Sequence, residues 1–208
     1  MKRLIKSIYF ILPLALCACT SAYSKNAYRQ EGYDQYDKSA IVDKYHSYLN
    51  SNLSVFPDSL ISSEVNTSYS AYISEELFDE NTEIFLSCEY NDEEYDSEVK
   101  RLSEIEITIS YKDKSFTNHI KYDEEMYNYP AYIAIDGWSG RYEYALLIKD
   151  ENKIVYIYLD SPSDKQLTKF ADYVKKDTSD YRKITTTGDF TIYNHSFDGG
   201  KTWIEFDD

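Results

Sequence analysis

The sequence predicts an α+β fold, an antiparallel sheet of hairpins with two or three packed helices, in a single domain. Most of the chain after residue 65 consists of short runs in which apolar and polar residues alternate, which is the period of a half-buried strand. Turn-forming residues separate these runs, as they do in a series of hairpins. Three other segments place their apolar residues at helical spacing. There is no long internal repeat, so the pattern does not favour a propeller or a solenoid.

Two of the predicted helices lie in the first half of the chain. One runs from about Ser39 to Leu53, where Asp37 or Ser39 can cap its start and Pro57 follows its end. A brief helix is predicted between Asp92 and Ser103. The apolar side of this brief helix consists of Tyr95, Val99 and Leu102.

The third helix is predicted from Ser163 to Lys176, where it would cover one face of the sheet. Ser161 can cap it, and Pro162 suits the first turn because the missing N–H of proline is not needed there. Lys175 and Lys176 favour its C-terminal end, where cations interact well with the helix dipole. Its apolar stripe consists of Leu167, Phe170, Ala171 and Val174.

The strands are predicted in pairs that are joined by turns. Residues 105–111 show the clearest half-buried alternation, and the chain turns back from them into 116–122, which makes a hairpin. The turn at 150–152 joins a strand over 142–148 to one over 154–159, whose near-continuous apolar run indicates a central strand covered on both faces. Further strands are predicted around residues 69–73, 84–90, 132–135, 190–193 and 203–206.

The first residues of the chain form an export signal. Three basic residues precede an apolar run from Ile8 to Ala18, which is shorter than the roughly 20 residues that span a bilayer. The end of this run, Leu16-Cys17-Ala18-Cys19, resembles the lipobox of bacterial lipoproteins. The resemblance implies that residues 1–18 are removed as a lipoprotein signal peptide, and that the thiol of Cys19 carries a diacylglycerol.

Two other interpretations of these residues stay open. One is an ordinary signal peptide that is cut near Ala22, and the other is lipidation of Cys17, for which Leu16 occupies a position that prefers a small side chain. Each buried methylene contributes about 0.8 kcal/mol, so an anchor of two or three acyl chains holds stably. No acidic residue directly follows Cys19, which in Gram-negative lipoproteins resembles the pattern for sorting to the outer membrane, facing the periplasm.

The lipobox divides the chain into three parts. Residues 1–18 are the signal peptide, and 19–37 are a lipidated N-terminus and flexible tether, because this stretch is polar, rich in small residues and without an apolar period. Residues 38–208 form the α+β domain.

The remaining chain is strongly acidic. Removing residues 1–18 takes away three of the 22 basic residues and none of the 37 acidic ones, which leaves a net charge of −18. This charge excludes nucleic acid as a partner and disfavours anionic lipid surfaces, because affinity for phosphate comes chiefly from Lys and Arg. A basic partner or a cation suits such a field, although the charge also keeps a tethered domain soluble.

Tyrosine and cysteine usage also constrain the protein. The chain contains 23 tyrosines, a residue that suits half-buried sheets first and recognition surfaces second. After processing and lipidation only Cys88 would remain, so no internal disulfide is expected. Cys88 shares one strand face with Ile84, Leu86 and Tyr90, which predicts a buried, inert thiol and not a nucleophile.

A specific motif lies near the C-terminus, from Ser196 to Trp203. It resembles the Asp-box, Ser-x-Asp-x-Gly-x-Thr-Trp, at Ser196, Asp198, Gly200, Thr202 and Trp203. In that motif the Ser and Asp side chains satisfy backbone groups of a turn, Gly adopts the left-handed conformation and Trp packs beneath. Sialidases and related propellers carry several copies away from the catalytic site. The single copy here implies a structural hairpin and not a glycosidase.

No catalytic residue, metal site or cofactor is predicted. Residues 137–141 lack the final glycine of a serine-hydrolase elbow, and the three histidines lack the spacing of a metal pair. The acidic clusters at 92–94 and 123–125 lack the spacing of a calcium loop and are predicted to be solvated turns. No carboxylate pair for glycoside hydrolysis can be singled out among the 37 acids.

These observations predict a membrane-anchored envelope lipoprotein with a binding or structural role. A more specific hypothesis within that class is an inhibitor or immunity protein directed against a basic partner, because acids and aromatic anchors suit such an interface. The alternative is a glycan-active envelope hydrolase that uses carboxylates which the sequence does not identify.

Overall fold

The structure is a computed structural model. It describes residues 28–49, 51–60, 66–73, 81–111, 114–137, 140–182 and 190–191. The signal peptide, Cys19, the tether before residue 28 and the Asp-box over 196–203 lie outside the described residues.

In the described part of the chain, an eight-stranded antiparallel sheet forms the centre of the fold. The strands found there are β1 (Tyr28–Glu31), β2 (Thr67–Ile73), β3 (Thr82–Glu89), β4 (Glu106–Tyr111), β5 (Lys114–His119), β6 (Lys121–Asp123), β7 (Ala131–Asp136), β8 (Arg141–Ile148), β9 (Lys153–Asp160) and β10 (Phe190–Thr191). The order in the sheet is β1-β2-β3-β9-β8-β7, and β6 and β10 both pair with the outer edge of β7. β4 and β5 form a separate hairpin.

Among the described residues three α-helices accompany the sheet, which confirms the α+β class. They are α1 (Lys38–Leu49), α2 (Asp92–Ser103) and α3 (Asp164–Lys169), and short 3-10 helices cover Tyr33–Gln35, Lys149–Glu151 and Thr178–Arg182. No helix among the described residues has both the length and the apolar content that a membrane crossing requires.

β9 is the central strand, as its apolar run predicts. It lies between β3 and β8, and all its residues from Ile154 to Asp160 are buried. Tyr156 lies on the first face of the sheet, which α1, residues 51–60 and α2 cover. The second face is covered by α3 and the segment after it, where Phe170 stacks on Phe85 of β3 with ring centroids 5.3 Å apart.

The first helix ends earlier than expected, at Leu49 instead of Leu53. Asp37 caps it as predicted, because the backbone N–H of Ala40 donates to Asp37 Oδ1 at 3.0 Å. Beyond the helix, the Ser51 hydroxyl accepts a hydrogen bond from the N–H of Leu53 at 2.8 Å. Such a bond between side chain and backbone competes with helix continuation, and Leu53 itself takes a left-handed conformation.

The second helix has the predicted bounds, whereas the third is much shorter than predicted. The helix over Asp92–Ser103 is capped by Asn91, whose Oδ1 accepts from the N–H of Glu94 at 2.9 Å. α3 ends at Lys169 and is capped by Ser163 in a capping box, so the prediction that Ser161 caps it is wrong. The expected stripe is also wrong at Ala171, which is exposed.

Two further boundaries differ from the prediction. The expected strand over 116–122 is divided, because β5 ends at His119 and β6 begins at Lys121 in the other sheet. Ile120, between them, is buried and donates its N–H to the carbonyl of Ile105 at 3.2 Å. The tether is shorter than 19–37, because Tyr28–Glu31 pairs with β2 as an edge strand.

Candidate functional site

Glu143 of β8 is a fully buried carboxylate on the first face. Its Oε1 accepts a hydrogen bond from the N–H of Val55 at 2.9 Å, and its Oε2 accepts one from the Ser51 hydroxyl. Burial raises the pKa of Glu143, while these hydrogen bonds oppose the rise. The contacts attach residues 51–55 to the sheet, so Glu143 holds the fold together.

Glu98 of α2 is a second buried carboxylate, and it belongs to a polar network. The guanidinium of Arg101 donates to both of its oxygens, at 2.8 and 2.7 Å. The Tyr156 hydroxyl donates to Oε1 at 2.6 Å, and the Tyr90 hydroxyl lies 2.9 Å from that of Tyr156. Arg101 also donates to the carbonyl of Val55 at 2.6 Å. The network therefore connects α2, β9 and residues 51–60.

Cys88 is buried in β3, and the structure confirms the expected burial of its thiol. Its exposed fraction is 2%. Burial raises the pKa of the Cys88 thiol to about 11, so the thiol is protonated at neutral pH. A protonated, inaccessible thiol is a poor nucleophile.

Two more ion pairs, each with a buried carboxylate, lie at the ends of strands. Arg141 Nε donates to Asp160 Oδ2 at 2.9 Å across β8 and β9. On the second face, the amine of Lys175 contacts Asp136. The expectation that Lys175 lies at the C-terminal end of the helix is wrong, because the helix ends at Lys169 and the lysine beyond it points inward. Among the described residues no group of three or more His, Cys, Asp and Glu could hold a metal ion.

A cleft opens on the second face, where α3 leaves part of β1, β2 and β3 uncovered. Its volume is about 400 Å³, and an adjoining cleft of about 410 Å³ shares Glu31, Ser70 and Lys169 with it. Arg29 Nε donates to Glu31 Oε1 at 3.1 Å, and Lys169 pairs with Glu83. The hydrogen bond from Arg29 lowers the pKa of Glu31, which therefore stays ionised at neutral pH.

A second surface feature lies on the first face, beside α2. We call it the tyrosine–acid patch and define it as Tyr95, Asp96, Tyr122, Glu124 and Tyr132. Tyr122 is 45% exposed, its ring centroid lies 5.0 Å from that of Tyr132, and its hydroxyl donates to Glu124 Oε1 at 3.1 Å. Burial raises the pKa of Tyr95, and Asp96 and Tyr122 add to the rise, which places all three close together. The side chains of Asp96 and Glu124 are exposed.

No family model, curated protein or solved structure matches this chain.

Cys19 and the Asp-box residues lie outside the described part of the chain, so their roles stay predictions. The buried carboxylates were missed, although the sequence carries a signal for them. Glu143 interrupts the apolar run of β8, and Asp136 directly follows that of β7. An acid inside an apolar strand indicates a buried, paired carboxylate.

Proposed function

We propose that this protein is a lipoprotein of the bacterial cell envelope that binds a basic protein, as an inhibitor or immunity protein does. Its folded part would be a single α+β domain whose sheet is built of hairpins. The observation that carries this proposal is the tyrosine–acid patch, where Tyr122 is 45% exposed beside the carboxylate of Glu124.

The chemistry of this patch suits a basic partner. Tyrosines are enriched among the residues that contribute most to protein interfaces, because they bury a large ring at low entropic cost. Exposed carboxylates such as Asp96 and Glu124 attract a positively charged surface and raise the rate of encounter. The net charge of −18 that remains after removal of residues 1–18, 19 basic against 37 acidic residues, extends this attraction beyond the patch.

The cleft on the second face fits a basic partner less well. Its lining contains the cations Arg29, Lys165 and Lys169 against the carboxylates Glu31 and Glu83. These carboxylates are already paired with Arg29 and Lys169. The patch is therefore the better candidate for the interface.

The geometry favours binding over the hydrolase alternative. A glycosidase needs one carboxyl group with a raised pKa as general acid and a second one about 5–9.5 Å away. The buried carboxylates Glu98 and Glu143 are engaged in contacts that hold the fold together. In the cleft, the lowered pKa of Glu31 suits ion pairing and not proton donation.

The membrane attachment rests on the lipobox. We propose that Cys19 carries the lipid and that the domain is anchored in the cell envelope, on the periplasmic side of the outer membrane in a Gram-negative organism. Labelling cells with a fatty-acid analogue tests this assignment. The wild type and Cys17→Ser should be labelled, whereas Cys19→Ser should not. Label that persists in Cys19→Ser contradicts it.

The C-terminal Asp-box is proposed as a structural turn. Asp198→Ala would remove a side-chain acceptor from the turn and should cost about 1–2 kcal/mol of stability without changing binding, by analogy with a lost helix cap.

The binding proposal is tested with charge-reversed baits. The full-length protein is used to recover partners from envelope extract, alongside Glu124→Lys in the patch and Asp34→Lys as a matched control. Asp34 is equally an exposed acid, but it follows β1 at the opposite edge of the sheet. A basic protein should be recovered by the wild type and Asp34→Lys and lost with Glu124→Lys.

The salt dependence gives a second criterion for the same interface. Charges on protein surfaces are screened beyond about 8 Å at physiological salt, so the association rate should fall as ionic strength rises. An acidic partner, an association rate that does not change with salt, or an equal loss of the partner with Glu124→Lys and Asp34→Lys would contradict the proposal.

A further inference from the structure

Lys175 and Asp136 meet in a buried cluster on the second face of the sheet. The side chain of Lys175 is 4% exposed, that of Asp136 is 0% exposed, and the Lys175 amine contacts Asp136 Oδ1. A second carboxylate oxygen, Asp180 Oδ2, lies 3.8 Å from the same amine, and the side chain of Asp180 is 31% exposed. An amine, a buried carboxyl group and a carboxylate with access to water therefore come together.

Aromatic rings surround the amine. The Lys175 nitrogen lies 5.3 Å from the ring centroid of Tyr142 and 6.0 Å from that of Tyr181, and both tyrosines are buried. Burying an ammonium and a carboxylate removes both from their hydration shells, which is costly. A neutral amine beside a neutral carboxyl group holds as many protons as an ammonium beside a carboxylate, but it carries no charges. In those neutral forms the amine is nucleophilic and the carboxyl carbon is electrophilic.

Both reacting groups are held in place by the backbone. Asp136 lies in β7, where β8 and β10 pair with it on either side. The N–H of Lys175 donates to the Tyr181 hydroxyl at 3.1 Å, and the N–H of the next residue, Lys176, donates to the carbonyl of Met126 at 3.1 Å. Groups that are fixed in contact react as if at very high local concentration.

We propose that an isopeptide bond joins Lys175 to Asp136 in the folded protein. The lone pair of the neutral amine attacks Cγ of Asp136, and a C–N bond forms. Asp180 accepts a proton from the nitrogen and delivers it to the departing Asp136 oxygen, whose C–O bond breaks. An ammonium and a carboxylate become one amide and one water, so atoms and charge balance, and the step needs no oxidant or co-reactant.

The bond would act as a covalent brace between β7 and the segment that follows α3. A cross-link of this kind restricts the unfolded chain in the way that a disulfide does. Cys88 is free in the described part of the chain. The amide would therefore supply a covalent cross-link that this cysteine does not provide.

Peptide mapping of the full-length protein tests the bond directly. The protein is denatured and digested with trypsin, which does not cleave after an acylated lysine. We expect one branched species made of residues 122–141 and 170–176, with a mass equal to the two peptides minus one water and no cleavage after Lys175. The pair of Lys169 and Glu83 is an internal control, because the Lys169 side chain is 49% exposed and should remain unlinked.

The wild-type digest alone decides the proposal, whatever the variants do to folding. Separate peptides with cleavage after Lys175 would overturn it. Lys175→Arg should abolish the branched species. Asp180→Asn keeps both reacting groups and should lower the linked fraction in freshly synthesised protein, and an unchanged fraction would contradict the role of Asp180.

Discussion

The tyrosines inside the sheet and the tyrosine at the centre of the patch differ in what surrounds them. Tyr144 and Tyr156 are fully buried, and their hydroxyls bond to groups of the protein, the carbonyl of Tyr173 at 3.0 Å and Glu98 at 2.6 Å. Tyr122 exposes nearly half of its surface and bonds to an exposed carboxylate. The same residue type thus builds the core in one region and, in our proposal, faces a partner in the other.

The difference explains how a chain can contain so many tyrosines without exposing most of them. A buried tyrosine contributes the packing of a large ring, provided that its hydroxyl finds a partner. The described part of the chain places several such rings on both faces of the sheet. Those that are essentially fully buried are Tyr142, Tyr144, Tyr156 and Tyr158. Tyr127 is equally buried, but its hydroxyl has no hydrogen-bond partner among the described residues.

The largest expected effect comes from removing a buried ring. Tyr144 packs on Tyr127 with ring centroids 4.5 Å apart, and its hydroxyl also lies 3.2 Å from that of Tyr181. Tyr144→Ala should lower the free energy of unfolding by about 3–5 kcal/mol, because it leaves a cavity. Urea denaturation measures the loss, with Tyr33→Ala at an exposed site as the control. Equal stability of the two variants would show that Tyr144 is not part of the core.

A smaller effect is expected when only a bonded hydroxyl is removed. Tyr156→Phe keeps the ring but takes one hydrogen bond from the buried Glu98. The cost should be about 1–3 kcal/mol, the range for a buried polar group that loses a partner. Urea denaturation at constant pH measures it. A neutral result would mean that Arg101 alone satisfies Glu98.

Tyr127→Phe should change the free energy of unfolding in the opposite direction. Tyr127 is fully buried, and its hydroxyl has no hydrogen-bond partner among the described residues. Removing such a hydroxyl should raise the free energy of unfolding by about 1 kcal/mol, because the folded state no longer keeps an unsatisfied group from water. Thermal and urea denaturation of this variant and of Tyr156→Phe compare the loss of an unpartnered hydroxyl with the loss of a hydrogen-bonded one. Destabilisation would reveal a bonding partner.

The sequence predicts which strands and helices form better than it predicts the residues at which they end. The apolar run of β9 and the helical spacing of α2 are local signals, and both are confirmed. α3 ends early, at Lys169, and Lys175 beyond it contacts Asp136, a residue far away in sequence that local periodicity does not reveal. The division of β5 from β6 at Ile120 likewise depends on long-range pairing, because β5 pairs with β4 and β6 pairs with β7.

The candidate patch was less predictable than the fold. The near-continuous apolar run around Tyr156 predicts a strand that is covered on both faces, whereas the alternation over 116–122 does not tell which side chains are exposed. Tyr122 lies in the short β6 at the edge of the sheet. Its exposure is decided by strand order, which the period of its own strand does not encode.

The smallest effect on stability is expected at the patch. Tyr122→Ala should change the free energy of unfolding by less than about 0.5 kcal/mol, as is usual for an exposed position. Recovery of the basic partner should nevertheless fall. A large loss of stability would place Tyr122 with the core tyrosines and would remove the contrast on which the functional proposal rests.

Photocrosslinking in living cells of the native host tests the binding claim most directly. A photoreactive phenylalanine replaces Tyr122 in one strain and Tyr33 in another, because Tyr33 is equally exposed, at 48% against 45%, and lies outside the patch. The proposal predicts a cross-link from position 122 to a basic protein, its loss when Glu124→Lys is added, and none from position 33. A cross-link from position 33 alone, an acidic partner at position 122, or no cross-link from either position would contradict it.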